Sequence, residues 1–368
     1  MSTNSKQIKT GLIYDEKMCL HKEEEHPECP ERIKKIYAAI TNADLLKYCV
    51  HIEARSITID ELLLTHDEDY VSIIQNTPNN DSDELFSLAN EYNSIYLNEN
   101  TFISASIAAG SLIDLTSKVV NNELNNGVAI IRPPGHHAHI NKAKGFCIFN
   151  NVGITANMML KKYNLSRIAI LDLDVHHGDG TQEIFYSNDN VLYISIHRYD
   201  NGEFYPGESG NPKNVGCDAG IGKNINIGLN TNDYEKIGNS DYLYLLIKLI
   251  EPILQEYNPE LILVSAGFDC VIGDPLGDLN LTPIFFNYLI QRLEVLQSKI
   301  VVALEGGYNL DAISESMVEC CCALTRHSRI SFRNVDANQL LVSSVTKDAL
   351  LKTTKIHKSY WNCLKDNN

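Results

Sequence analysis

Asp174 and His176 stand two residues apart at the end of an apolar run, Ile168 to Leu173. In extended chain, side chains at i and i+2 point the same way, so this carboxylate and this imidazole can grip one ion. Asp269, which follows Gly267-Phe268 at the end of another apolar run and precedes Gly273-Asp274-Pro275, is available as a third ligand. Two carboxylates and one imidazole leave positions open for water and substrate, as a catalytic zinc site requires; the oxygen-rich set also suits ferrous iron or cobalt. The tandem pair His136-His137 adds proton-transfer capacity, and Asp172 and Asp179 flank the candidate ligands. A neutral histidine can take a proton from a metal-activated water and return it to a leaving amine, while a carboxylate partner fixes its tautomer and raises its basicity.

The elements that must carry these residues follow from the hydrophobic pattern. From about residue 127, apolar runs of strand length alternate with longer segments whose apolar residues recur every three or four positions. This predicts a single α/β domain with a central, mostly parallel sheet and helices on both faces. The candidate strands are Gly127 to Ile131, Ile168 to Leu173, Val191 to Ile196, Leu261 to Val264 and Ile300 to Leu304; Gly145 to Tyr163 and Tyr234 to Tyr257 suit covering helices. Each strand runs into a reactive cluster: Arg132-Pro-Pro-Gly-His136-His137, Asp174-Val-His176-His177-Gly-Asp179, His197-Arg-Tyr, Ser-Ala-Gly-Phe-Asp269 and Glu305-Gly-Gly-Tyr308. Ligands of an open parallel sheet bind where strand carboxyl ends meet the loops, so the five clusters predict one site.

Composition narrows the function classes. The chain has 368 residues, 44% hydrophobic and 21% charged, which excludes a mainly disordered or fibrous protein. Lys plus Arg number 31 and Asp plus Glu 47, so 31 − 47 = −16, a balance that argues against gripping nucleic acid phosphates. Ten cysteines include no CxxC pair, and the run Cys320-Cys321-Cys322 suits a reducing compartment. The N-terminus MSTNSKQIKTGLIYDEK lacks a signal-peptide stretch, and no run of roughly 18 uncharged apolar residues occurs, so no membrane partner is expected. With no basic import cluster, a cytoplasmic location is expected. Residues 1–10 are expected to be flexible, Thr77 to Asp83 to form an exposed loop, and Arg326 to Asn368 to close the domain with helices and turns anchored by Trp361.

The motifs Arg132-Pro-Pro-Gly-His-His-Ala138, Gly145-Phe-Cys-Ile-Phe-Asn-Asn151, Leu171-Asp-Leu-Asp-Val-His-His-Gly-Asp-Gly180, Ala266-Gly-Phe-Asp269 and Glu305-Gly-Gly-Tyr308 resemble the arginase/deacetylase fold, and within it the zinc-dependent histone deacetylase family. The resemblance runs from His26-Pro-Glu-Cys-Pro-Glu-Arg32 to at least Ser316, one complete catalytic domain. Arg-Pro-Pro-Gly, Ile196-His-Arg-Tyr199 and Glu-Gly-Gly-Tyr-Asn-Leu310 are similar to class II members, closest to the class IIb tubulin-deacetylase type.

The resemblance implies a role for each position. Asp174, His176 and Asp269 would hold zinc; His137 would be general base and acid, His136 an electrostatic aid, and Asp172 and Asp179 would orient the pair. Tyr308 would donate a hydrogen bond to the substrate carbonyl; a histidine here would mark the weakly active class IIa. Phe146, beside Gly145, and Tyr205, where the family usually has Phe, would line an acyl-lysine channel, and Ser94 would accept a hydrogen bond from the substrate backbone. A structural potassium ion would be held by Asp172, the backbone of Asp174 and His176, and Ser195. The implied activity is hydrolysis of N-ε-acetyl-lysine in proteins, and hydroxamate-type inhibitors are expected to bind. The alternative is an acetylpolyamine deacetylase, but Leu276 follows Gly273-Asp274-Pro275 where polyamine specialists place a Glu for the distal ammonium. A poorly active acetyl-lysine reader would have lost Tyr308 or a ligand, and arginase-like chemistry needs two metals and more aspartates.

Overall fold

Strands buried on both faces read as unbroken runs of Val, Ile, Leu and Ala, and the centre of this sheet is built from such runs. The computed structural model describes residues 8–328 and 335–365. Its strands are β1 (Thr10–Ile13), β2 (Cys49–Ile52), β3 (Asn126–Ala129), β4 (Ile168–Asp172), β5 (Val191–Arg198), β6 (Asn224–Leu229), β7 (Leu261–Ala266) and β8 (Lys299–Leu304). They form one sheet in the order β2-β1-β3-β8-β7-β4-β5-β6, every neighbouring pair parallel. All carboxyl ends therefore lie along one edge. The register sets Asp172 level with Ser195 on β5 and Ser265 on β7; β7 ends one residue later, at Ala266, so the segments that follow β4 and β7 leave the sheet at nearly the same height.

The five expected strands are β3, β4, β5, β7 and β8, with no end shifted by more than two residues. Ile130 and Ile131 continue past β3 as irregular chain, and Leu173 lies beyond β4. Thr10 opens β1, which corrects the expectation of a flexible segment through residue 10; residues 1–7 lie outside the described residues. The stretch Gly145 to Tyr163 becomes helical only at Asn151, where the Asn150 side chain accepts from the Gly153 N–H at 2.8 Å. Gly145 and Phe146 adopt left-handed φ of 53° and 67°, which no helix tolerates. Helical structure in Tyr234 to Tyr257 likewise starts at Asn239. The expected loop at Thr77 to Asp83 contains a short turn and the start of the helix Ser82–Ala89, capped by Asp81.

The apolar helix Thr101–Val120 is long and apolar enough to cross a membrane, yet 72% of its most apolar window is buried, and it packs beneath the sheet. At the other end, the helix Ser344–His357 packs against β6, and Trp361, 4% exposed, donates its indole N–H to the Gly222 carbonyl at 3.0 Å. The expected anchor is in place; residues 329–334 and 366–368 of that closing segment lie outside the described residues.

His357 is buried there with neither ring nitrogen hydrogen-bonded among the described residues. Burial lowers its pKa from 6.5 to about 4. The unfolded chain thus takes up a proton as pH falls below about 6.5 while the folded chain does not, and stability drops until pH reaches the folded value. His357→Leu should raise the urea stability at neutral pH by ~1–3 kcal/mol and flatten its decline between pH 6.5 and 4. A lower midpoint at both pH values would show that the ring is satisfied.

Candidate active site

The loop leaving β4 carries Asp174 and His176, and the one leaving β7 carries Asp269. His176 Nδ1 lies 3.1 Å from Asp174 Oδ1 and 3.1 Å from Asp269 Oδ2, and the three ligand atoms fall within 4.8 Å of one another. Backbone amides aim the carboxylates: Gly306 donates to Asp174 Oδ2 at 2.8 Å and Val175 to Asp269 Oδ1 at 2.8 Å. Both carboxylates are buried side by side, and burial together with Asp174 pushes the Asp269 carboxyl up. A dication between them removes that repulsion, so the residues fit a metal. Gly306 keeps the space open, since a Cβ there would meet Asp174 Oδ2 at 2.5 Å, Asp269 Oδ2 at 2.6 Å and the Tyr308 hydroxyl at 3.2 Å. The two ligand carboxylates and the Tyr308 hydroxyl therefore border the same small volume.

The histidine pair follows β3, with its aspartates beyond β4. His136 Nδ1 is 3.1 Å from Asp172 Oδ2, which also accepts from the Tyr193 hydroxyl at 2.9 Å. Burial opposes charge on His136, but Asp174 and Asp172 hold it well above the usual histidine range. His137 Nδ1 is 2.8 Å from Asp179 Oδ1, and here burial and then the neighbouring His136 win, lowering it to about 3. The two rings are thus pushed in opposite directions, His136 toward the charged form and His137 toward the neutral one.

Asp179 carries more than the sequence revealed. Its second oxygen meets His139 Nε2 at 3.0 Å and forms an ion pair with Lys144. Burial raises the Asp179 carboxyl, but His137 and His139, and then Lys144, hold it well below the carboxylate range. His139 also meets Glu183 Oε2 at 2.8 Å; burial works against its charge, but Asp179 and Glu183 bring it up to about 9. No local signal marked this support, because its partners lie 35 to 44 residues apart in sequence.

A cavity of about 110 Å³ opens onto these groups, walled by Phe146, Tyr205, His137, His176 and Tyr308. Phe146 stands edge-on to Tyr308 at 5.7 Å, and Asn93 and Ser94 hold the Gly145-Phe146 turn by accepting its two N–H groups at 3.0 and 2.9 Å. Ser94 and Leu276, the latter 36% exposed, lie at the mouth. Burial pushes the Tyr308 phenol well above its ordinary range, so it remains a hydrogen-bond donor. Phe204, which the sequence did not single out, stacks on His176 at 5.1 Å under the Arg198 guanidinium. Ser195 is buried on β5 with its hydroxyl 2.8 Å from His197 Nδ1.

Below the site lies a buried ion cluster. Glu28 accepts from Arg132 Nε and Nη2 at 2.8 and 2.7 Å, from Arg32 Nη1 at 3.0 Å and from the Tyr96 hydroxyl at 3.0 Å. Arg32 also donates to the carbonyls of Glu305 and Gly307, and its guanidinium lies 5.1 Å from the centre of the Tyr308 ring. The strand-end loop that presents Tyr308 is thereby tied to the N-terminal third of the chain.

Known proteins resemble this chain in sequence and in fold. The family model for the histone deacetylase domain matches residues 26–324. "Histone deacetylase 5" of Arabidopsis thaliana is 41% identical over 335 residues, covering 89% of this chain and 50% of that protein. "Polyamine deacetylase HDAC10" of Danio rerio is 37% identical, covering 97% of this chain and 53% of that one. The chain thus spans about half the length of these curated relatives. The crystal structure of the HDA15 HD domain superposes with a TM-score of 0.87 at 34% identity, covering 98% of this chain and 97% of that one. The parallel sheet, its metal-ready strand ends and a family match across all of them lead to one assignment: this chain belongs to the histone deacetylase family.

Proposed function

We propose that this chain is a zinc-dependent protein lysine deacetylase, converting N-ε-acetyl-lysine to lysine and acetate. The observation that carries the reading is the meeting of Asp174, His176 and Asp269 with a neutral His137 and the Tyr308 hydroxyl around one narrow cavity. Zinc, held by those three ligands, would supply a Lewis acid that polarises the amide carbonyl and acidifies water. His137, its Nδ1–H donated to Asp179, presents Nε2 to accept the water proton and then passes it to the lysine nitrogen as the C–N bond breaks. His136, hydrogen-bonded to Asp172 beside Asp174, would support the negative charge that develops. Tyr308 donates its phenol proton to the acyl oxygen, a bond that strengthens as that oxygen gains charge. Phe146 and Tyr205 leave room for an unbranched stem, and Ser94 at the mouth can accept a backbone N–H of the peptide. A structural potassium ion at Asp172, Asp174, His176 and Ser195, hydroxamate binding, class IIb character and a cytoplasmic location belong to the same reading.

A peptide is favoured over an acetylated polyamine because Leu276 offers a distal ammonium no charge partner. The test is turnover of an acetyl-lysine peptide and an acetylated polyamine by the zinc-loaded protein, side by side with Tyr308→Phe. The peptide should be preferred, and Tyr308→Phe should retain zinc while losing ~2.7–4 kcal/mol of transition-state stabilisation, about 10²- to 10³-fold in kcat. Preference for the polyamine would overturn the substrate assignment, and unchanged turnover in the variant would overturn the role of Tyr308.

A further inference from the structure

The loop that presents Tyr308 is gripped from two sides. Gly307 adopts a left-handed φ of 111°, which turns the peptide between Gly307 and Tyr308 in a way that glycine takes readily and other residues do not. The carbonyl of that peptide accepts from Arg32 Nε at 2.7 Å, and its N–H, on Tyr308, donates to Asp274 Oδ2 at 2.6 Å. Across a trans peptide the C=O and N–H point in opposite directions, so a buried guanidinium on one and a buried carboxylate on the other fix the plane. The Tyr308 Cα is an atom of that plane.

Asp274 comes from a different loop, the one that follows β7 and carries Asp269. Its Oδ2 also accepts from the Asn309 N–H at 3.2 Å, its Oδ1 accepts from the Leu276 N–H at 2.9 Å, and the Asn309 side-chain amide donates to the Gly273 carbonyl at 3.0 Å. The loops after β7 and β8 are thereby stapled beside Tyr308. Three N–H groups on two oxygens suit a carboxylate, whereas an amide would turn its own donors toward one of them. Helix capping does not account for Asp274, because the helix Leu310–Leu324 is already capped by Asn309, whose side chain accepts from the Asp311 and Ala312 N–H groups at 3.2 and 3.1 Å.

We propose that Asp274 is a positioning residue for Tyr308: opposed to Arg32, it holds the Gly307–Tyr308 peptide so that the phenol hydroxyl borders the same small volume as Asp174 and Asp269. The proposal rests on the deacetylase reading and adds to it the group that places the oxyanion donor. Phe146 stands edge-on to the Tyr308 ring at 5.7 Å and the Arg32 guanidinium lies 5.1 Å from its centre, so the freedom left to the hydroxyl is that of the backbone from which the ring hangs. A displacement of about 1 Å there is enough to cost about 100-fold in rate.

The experiment measures kcat and KM for an acetyl-lysine peptide on four zinc-loaded proteins: the parent, Asp274→Ala, Tyr308→Phe and the double variant. Asp274→Ala should lose about 10- to 100-fold in kcat with KM little changed, because the Tyr308 bond strengthens only as the acyl oxygen gains charge. In the Tyr308→Phe background the same change should cost little, since no hydroxyl is left to place. Zinc content should match the parent's in all four. Asp274→Asn, which keeps the shape and one acceptor oxygen, carries the same cycle if the alanine variant does not fold. Losses that multiply in the double variant, a raised KM at unchanged kcat, or parent-like kinetics overturn the proposal. Failure of both Asp274 variants to fold or to hold zinc would show that the carboxylate serves the domain as a whole, and overturns it too. Absence of turnover by the parent would instead bring down the deacetylase reading itself, and the positioning role with it.

Discussion

Asp269→Ala protein should purify without zinc and show no measurable turnover of an acetyl-lysine peptide. The remaining ligands, Asp174 and His176, come from one loop, and a catalytic zinc needs a third protein ligand before it is held with its open position defined. The substitution also removes the acceptor for the Val175 N–H, bonded at 2.8 Å, so the ligand-bearing loop loses its tie to β7. Asp269→Asn separates the two effects. An amide keeps the shape and the Val175 bond but lacks the negative charge, so zinc content should still collapse. The metal-free Asn variant should, however, be more stable than the metal-free parent, since it relieves the repulsion between two buried carboxylates. Elemental analysis and thermal melts in chelator measure these opposed trends. Zinc retained in full by both variants would sink the ligand assignment, and a less stable Asn protein would show that the carboxylates do not repel.

The sequence exposed those parts of the molecule whose physics is local. Strands β4, β7 and β8 lie inside a parallel sheet and are buried on both faces, so each reads as an unbroken apolar run. β6 does not, because Asn224 and Asn226 interrupt it; their buried amides donate to Gln182 Oε1 at 2.8 and 2.9 Å, a fact that only the fold supplies. β1 and β2 have four residues each and, unlike β3 with Ile130 and Ile131 behind it, neither belongs to a longer run of Val, Ile, Leu and Ala. The candidate metal ligands Asp174 and His176 were legible from their two-residue spacing just past a strand end, although the chain there bends and is no longer extended. The clamp of His139 and Lys144 on Asp179 was not, since its partners are about forty residues apart, and the neighbouring turn with left-handed φ at Gly145 and Phe146 was not legible either. Apolar spacing alone made that turn look like helix.

The same blindness to distance applied to Glu28, whose guanidinium partner Arg132 is 104 residues away, and Glu28→Ala is expected to give the largest loss of stability. Burial raises the Glu28 carboxyl, but Arg132 and Arg32 overcome it and hold it well below the carboxylate range. Removing it strands two guanidiniums in the interior without an anion, a loss of about 3–5 kcal/mol in urea denaturation. The sign of the pH dependence follows. A carboxyl whose folded pKa is depressed contributes fully above its unfolded value, near 4.5, and loses that contribution as pH falls through the folded one. The gap between parent and variant should therefore be widest near neutrality and narrow below pH 4.5. The deficit should also reach the active site, because Arg32 holds the carbonyls of Glu305 and Gly307 on either side of Gly306. Well below its melting temperature, Glu28→Ala should keep zinc yet lose kcat, as Tyr308 is no longer held against the acyl oxygen. A variant as stable as the parent at pH 7 would mean that water reaches the cluster and that the two arginines are not confined by Glu28 at all.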